Sequence, residues 1–168
     1  MEATNDVRRQ IGLKLFVGLP ALNQAADLQA GANALSVTAR HFDIVNAWAT
    51  PTDRVRSFGL VGAVSENVAL LSLFDFDVTH SYTERAENGE RLIFDGSTGQ
   101  IAPRHSYASF ARAIVLAWMA SPGHRANVVN PKFVNMGRSA RASRSISGLD
   151  MMAGVQFFFI PDNAAVRR

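Results

Sequence analysis

The chain reads as an α+β fold, with helices packed around an antiparallel sheet. Three observations predict this. Ala21, Ala25, Leu28, Ala32, Leu35 and Ala39 recur in steps of three and four, the period of an amphipathic helix. Tyr107, Phe110, Ala111, Ile114, Val115 and Trp118 do the same behind a capping Ser106, and Ser121 continues that face. Toward the end, 133–142 and 150–160 read as two strands joined by the polar turn Ser143–Gly148, a hairpin. The chain has 168 residues, 48% hydrophobic and 18% charged, which suits one domain with a sizeable core and excludes a disordered chain.

Taken in order, Asn5 to Leu13 reads as a short helix capped by Asn5. An apolar connection leads to Gly18-Leu19-Pro20, and Pro20 suits the first turn of the alanine-rich helix. Small residues on its stripe let another element approach closely. His41 follows its end. Thr50 caps a short helix that begins at Pro51 and stops at Gly59. Ser65-Glu66-Asn67-Val68-Ala69 precedes Leu70–Phe76, an apolar run that fits strand or loop. Residues 77–104 have no helical period. They form an excursion with turn formers at Asn88-Gly89 and Asp95–Gly99 around the strand-like Arg91–Phe94, expected over the mouth of a cavity. Trp118-Met119-Ala120-Ser121-Pro122-Gly123-His124-Arg125-Ala126-Asn127 closes the second long helix. Pro122 and Gly123 stop it, which presents His124 near a helix end. On the last strand Met151, Ala153, Val155, Phe157 and Phe159 share a face.

Several function classes are excluded or not called for. There is no cysteine, so neither disulfides nor thiolate chemistry are available. No apolar run approaches the roughly 20 residues that span a bilayer. The net charge is +3 without a Lys/Arg block, so nucleic acid is not demanded as a partner. A basic stripe of Arg138, Arg141 and Arg144 on the hairpin is better read as a solvated edge that blocks edge pairing. Gly96-Ser97-Thr98-Gly99 lacks the lysine and spacing of a phosphate-binding loop, and no Gly-x-Ser-x-Gly occurs.

The stretch Trp-Met-x-Ser-Pro-Gly-His-Arg-x-Asn at 118–127 resembles a signature of the CAP superfamily, the SCP-like or pathogenesis-related-1-like domains, in bacterial form. Weaker matches follow in the right order. Asn5, Arg8, Gly12 and Leu13 resemble the usual start, and Asp53-Arg54-Val55 with Gly59 the next block. Ser65-Glu66-Asn67-Val68-Ala69 is similar to Gly-Glu-Asn-Ile-Ala, and Phe133 with Gly137 and Val155–Phe158 to the ending. Ala39-Arg40-His41 departs from the usual Phe-Ser-His. The resemblance covers roughly residues 4 to 160 and makes 1–168 a single domain. It implies a three-layer α/β/α sandwich with a central antiparallel sheet, in keeping with helices on both faces of a sheet.

In that family two histidines and one or two glutamates meet in a central cleft. By motif these are His41, Glu66 and His124, with Asn67, Ser121 and Arg125 as cleft-lining neighbours. Ser121 stands where many eukaryotic members carry a second glutamate, so the full tetrad is absent. Two imidazoles and a carboxylate can bind zinc with an open position, and a glutamate beside a histidine can do acid/base work, with Glu66 and His124 as its candidates. The residues alone leave other readings open. His124 could close a helix end, Glu66 could cap backbone amides, and His41 could sit exposed beyond a helix C-terminus. Arg125 and Asn127 could simply hold the turn. His80 and His105 read as exposed loop residues.

The resemblance implies a periplasmic or secreted protein, with a leader ahead of Met1 in the gene; Met1–Asp6 is itself no signal peptide. The expected function is binding, without turnover, of a metal, a small-molecule or lipid-like ligand, or a cell-envelope or protein partner. The competing class is a metal-assisted hydrolase of peptide, ester or phosphodiester bonds. Zinc is the one cofactor considered.

Overall fold

Eleven elements follow one another in the computed structural model, which describes residues 1–42, 48–77, 79–146 and 149–162, without the side chains of 90, 91 and 144–146. They are α1 (Glu2–Gln10), β1 (Val17–Gly18), α2 (Pro20–Ser36), α3 (Pro51–Ser57), β2 (Gly62–Ser72), β3 (Tyr82–Glu87), β4 (Glu90–Asp95), α4 (Tyr107–Ala120), α5 (Pro122–Val128), β5 (Asn135–Ile146) and β6 (Leu149–Pro161). The main sheet has the order β1-β5-β6-β2. Its three long strands are antiparallel, and the two-residue β1 is parallel to β5, which makes the sheet mixed at that edge.

The period of two along β6 sorts the layers. Val155, Phe157 and Phe159 join Val68 of β2, Leu22, Ala25, Ala26 and Ala30 of α2, and Val55 of α3 in one cluster. Phe158 packs on the other face with Phe16, Val128 and Met136, and Met152 lies there against the Phe110, Ile114 and Trp118 cluster of α4. The result is an α/β/α sandwich: α2 and α3 on one side, α1, α4 and α5 on the other. Close approach is built in at two glycines. A Cβ on Gly137 would fall 2.2 Å from the Leu22 backbone, and one on Gly154 would fall 2.2 Å from Ile114 Cδ1.

The structure shifts several expected details. The buried stripe of α2 is Leu22, Ala25, Ala26, Gln29, Ala30, Asn33 and Ala34, while Leu28 and Leu35 face outward at 38% and 80% exposure. Polar residues take the inner face because Gln29 and Asn33 both donate to the Arg40 carbonyl and so hold the chain that turns back after the helix. Tyr107 is 93% exposed and leaves the apolar face of α4 to Phe110, Ile114, Val115 and Trp118. Asn5 does not cap α1. It lies buried inside the helix, with its amide bonded to both the N–H and the carbonyl of Phe16. Arg8, fully buried, donates to the carbonyls of Lys14, Val128, Asn130 and Phe133 and so ties α1 to the loop after α5.

β5 runs on to Ile146 through residues expected to turn; Ser147, Gly148 and the Arg144 side chain lie outside the described residues. The excursion holds a hairpin, β3–β4, with its own small cluster of Phe74, Ile93 and Ala102 packed near Leu149. That contact lies beyond the Ser72–Met151 end of the sheet, some 20 Å along β2 from Glu66 at about 3.4 Å per residue. It does not roof the histidines. Nor are His80 and His105 free loop residues. His80 Nδ1 pairs with Asp95 Oδ2 at 2.7 Å, and the His105 side chain is only 6% exposed, with Nδ1 3.1 Å from Ser109 Oγ.

Candidate functional site

β2 is an edge strand, and the candidate site is built where two layers meet around that edge. Glu66 pairs with Phe157 in the sheet, so its side chain points toward α2 and α3, and the adjacent Asn67 points the other way. Glu66 therefore lies in mid-strand rather than at the end of an element. The capping box of α3, Thr50 with Asp53, fixes how that helix starts; the hydroxyl and backbone N–H of Thr50 hold the Asp53 carboxyl below its usual range. From that helix Arg54 reaches inward. Its Nη2 lies 3.1 Å from Glu66 Oε1, with the side chains 2% and 1% exposed. The same guanidinium donates to the carbonyls of His41 at 2.7 Å and Trp48 at 2.9 Å. It neutralises the carboxylate and holds two points, His41 and Trp48, of the connection between α2 and α3.

His41 Nδ1 sits 2.9 Å from Glu66 Oε2. A carboxylate only accepts, so Nδ1 carries a proton; in the neutral ring Nε2 is then an acceptor, on a side chain that is 40% exposed. His124 arrives from the opposite layer. Pro122 forbids the helical region to the residue before it, so Ser121 is extended at φ −95° and ψ 119° and separates α4 from α5. The expected stop is real, but Gly123 contributes no positive φ to it, and α5 starts at once with His124 in its first turn. Asn67 Nδ2 donates to the His124 carbonyl at 3.2 Å, while Asn127 Nδ2 donates to Asn67 Oδ1 at 2.8 Å and reaches the Glu66 carbonyl at 3.4 Å. These bonds dock α5 on the edge strand. The imidazoles of His41 and His124 then stand 6.3 Å apart, centroid to centroid, at 43°. Burial, followed by repulsion from His41, lowers the pKa of His124, so its neutral form is favoured.

The structure thus brings together His41 from the α2–α3 connection, Glu66 from β2 and His124 from α5. The other cleft-lining expectations fare differently. Asn67 is fully buried behind the strand. Arg125 is exposed, and the Ser121 hydroxyl makes no hydrogen bond among the described residues. Arg54 was missed by sequence reasoning. The available signal was Glu66 itself, a carboxylate in a half-buried strand that needs a cationic partner, with two arginines, Arg54 and Arg56, on the helix that precedes the strand.

No family profile matches the chain, and no curated protein does. Solved structures do match. An outer surface protein of Borrelia burgdorferi superposes with a TM-score of 0.59 at 14% identity, covering 96% of this chain and 89% of that one. An extracellular protein of Bacillus anthracis that contains an SCP domain gives 0.51 at 19% identity, over 94% of this chain and 37% of the other. The fold is that of an SCP domain. A cysteine-rich secretory protein of Staphylococcus aureus, at 0.47 and 16% identity, covers 94% of this chain and 36% of its own. This chain thus spans little more than a third of the length of the Bacillus and Staphylococcus proteins.

The donor set bears on zinc. Among the described residues no three His, Asp or Glu side chains form a ready metal group. Glu66 accepts from Arg54 on one oxygen and from His41 on the other. It has the form of the carboxylate that orients a ligating histidine from behind. The side chains left to offer a metal are those of His41 and His124, two donors of a type that zinc takes and one short of the three protein ligands of an open zinc site.

Proposed function

We propose that this SCP-like domain works outside the cytoplasm, in the periplasm or beyond, as a binding module whose imidazole pair takes up a metal ion or an external ligand without turnover. One observation supports the reading: the Glu66 carboxylate accepts from both Arg54 and His41, which commits it to orienting the histidine. The likenesses to an outer surface protein and an extracellular protein support the location. No helix among the described residues is long and apolar enough to cross a membrane.

His41 and His124 are the residues that would hold zinc. The ion would supply a Lewis-acidic centre with open positions for an anionic or carbonyl group of a small molecule or cell-envelope component. Glu66 fixes the tautomer and orientation of His41, and Arg54 fixes Glu66. The competing reading, a metal-assisted hydrolase, draws on the same pair, since an imidazole backed by a carboxylate resembles a general base.

The test is thermal melting with and without zinc for the parent, His41→Ala and His124→Ala, with zinc titrated calorimetrically alongside. Zinc should raise the melting temperature of the parent through linkage and lose that effect on acidification, because protonated imidazole does not ligate. An equal zinc response in parent and His124→Ala would remove the pair as ligands. Turnover of model peptides, esters or phosphodiesters by the zinc-loaded protein, lost in His41→Ala, would favour the hydrolase.

A further inference from the structure

The main sheet stays open along most of β5, at the edge opposite β2 and its histidines. β1 pairs only with Asn135 and Met136. Past them the chain leaves the edge and enters α2, where Asn23 Oδ1 accepts the Arg138 N–H at 3.0 Å. Leu19 N–H donates to the Met136 carbonyl, so the even residues of β5 turn their backbone groups outward and the odd ones toward β6. Among the described residues no strand meets the outward groups of Ala140 and Ala142, and both residues are exposed. Such an edge pairs with another extended chain unless it is guarded. Arg141, expected to guard it, does not stand across it. It turns onto α2, its Nε donating to Asp27 Oδ1 at 2.8 Å, and Ser139 and Ser143 bond to the same helix.

The even side chains face the other way, toward α1 and α4. There Arg138 and Ala140, with Thr4, Phe110, Ala111 and Ile114, line a half-open pocket of about 150 Å³. Its β6 wall, Gly154 and Gln156, is buried while Arg138 and Ala140 are exposed, so it opens toward the free edge. The floor is apolar and the rim polar. Arg138 at that rim is in no ion pair among the described residues; its Nη1 lies 3.4 Å from Asn23 Oδ1.

We propose that the β5 edge takes up an extended acidic segment of a partner protein, added to the sheet as a further strand. Its main chain bonds the outward N–H and carbonyl groups of Ala140 and Ala142. One apolar side chain enters the pocket, and an aspartate or glutamate two residues away pairs with Arg138. The spacing follows from alternation, since residues two apart in a strand share a face. A cavity of this volume admits a group the size of benzene, such as a phenylalanine ring. Backbone pairing supplies affinity, and the pocket and the arginine supply choice. A second copy fits less well: β5 carries three arginines and no carboxylate, so β5 against β5 sets like charges together.

The probe is the capped peptide Thr-Glu-Thr-Phe-Thr-Glu-Thr, whose glutamates flank the phenylalanine at two residues on either side and so serve either strand direction. Added to the full chain labelled with ¹⁵N, it should shift the β5 amides saturably and slow hydrogen exchange at Ala140 and Ala142 by about tenfold or more. Peptides with serine in place of phenylalanine, or lysines in place of the glutamates, should bind about tenfold more weakly. Arg138→Glu should reverse the preference between the glutamate and lysine peptides. Ala140→Pro removes an outward N–H, leaves the pairing with β6 intact and should abolish binding. If that variant does not fold, the charge reversal at Arg138 decides alone. The absence of a saturable shift, or equal affinity for the glutamate and lysine peptides, would overturn the proposal. So would shifts in the pocket without slowed exchange at Ala140 and Ala142. Protection of those two amides in the free protein that grows with its concentration would make the occupant a second copy, and would overturn it too.

Discussion

The two faces of the sheet handle buried polarity in opposite ways. At the β2 edge, Glu66 is almost wholly buried, and each of its oxygens has a cationic or N–H donor. Behind α4, Trp118 and Gln156 are just as buried, and each keeps one atom unpaired. A charge cannot stay buried without a partner, so Glu66 drew in Arg54. A neutral indole or amide is tolerated with a bond unmade, at a penalty of roughly 1–3 kcal/mol. The difference separates a charged constellation held by its partners from two neutral groups left partly unpaired in the core.

Variants at the two places should therefore differ in size. The largest loss is expected for Arg54→Leu, which strands the Glu66 carboxylate and frees the carbonyls of His41 and Trp48: about 3–5 kcal/mol by urea denaturation. The double variant Arg54→Leu/Glu66→Leu should lose less than Arg54→Leu alone, because no lone charge is left inside. If the double is as unstable as the single, the penalty comes from packing and not from the charge.

Trp118→Phe sits at the other extreme of the comparison. It removes a buried donor that bonds nothing, so that gain offsets part of the lost area, and a net change within about 1–2 kcal/mol is expected. A loss as large as that of Arg54→Leu would mean that the indole N–H does have a partner. Smaller still is Asp27→Asn. Arg141 and Ser139 hold the Asp27 carboxyl below its usual range, but the pair is largely exposed, and such pairs contribute about 0–1 kcal/mol.

The finest effect is the pH response of the site. His124 has a folded pKa below its unfolded one, so the unfolded chain binds more protons as the pH falls below about 6.5. Stability should therefore decline with acidification through that window and level off below the folded value. His124→Ala should flatten this part of the profile, measured as the urea midpoint between neutral and mildly acidic pH. An unchanged slope would assign the pH dependence to a group other than His124, and His80 is not that group. The hydrogen bond it donates to Asp95 raises its pKa, and a raised histidine contributes stability at low pH that is lost as the pH rises through the folded value, the reverse direction.

Much of the frame was legible in the chain because it rests on local rules. Helical period marked α2 and α4, Ser106 and Thr50 cap the helices they precede, Pro122 ends α4, and alternation marked the β5–β6 hairpin. The order of motifs pointed to the three site residues. What only the tertiary structure decided is which side chains meet. The true inner face of α2 follows from Gln29 and Asn33 gripping the Arg40 carbonyl, a bond that no period announces. The place of β2 at the sheet edge lets His124 reach His41 from the other layer. Arg54 has its role because Glu66 points toward α3, and α4 can settle onto the sheet because Gly154 carries no Cβ. Periodicity records the environment of a residue along its own element; partners far apart in sequence are chosen by packing.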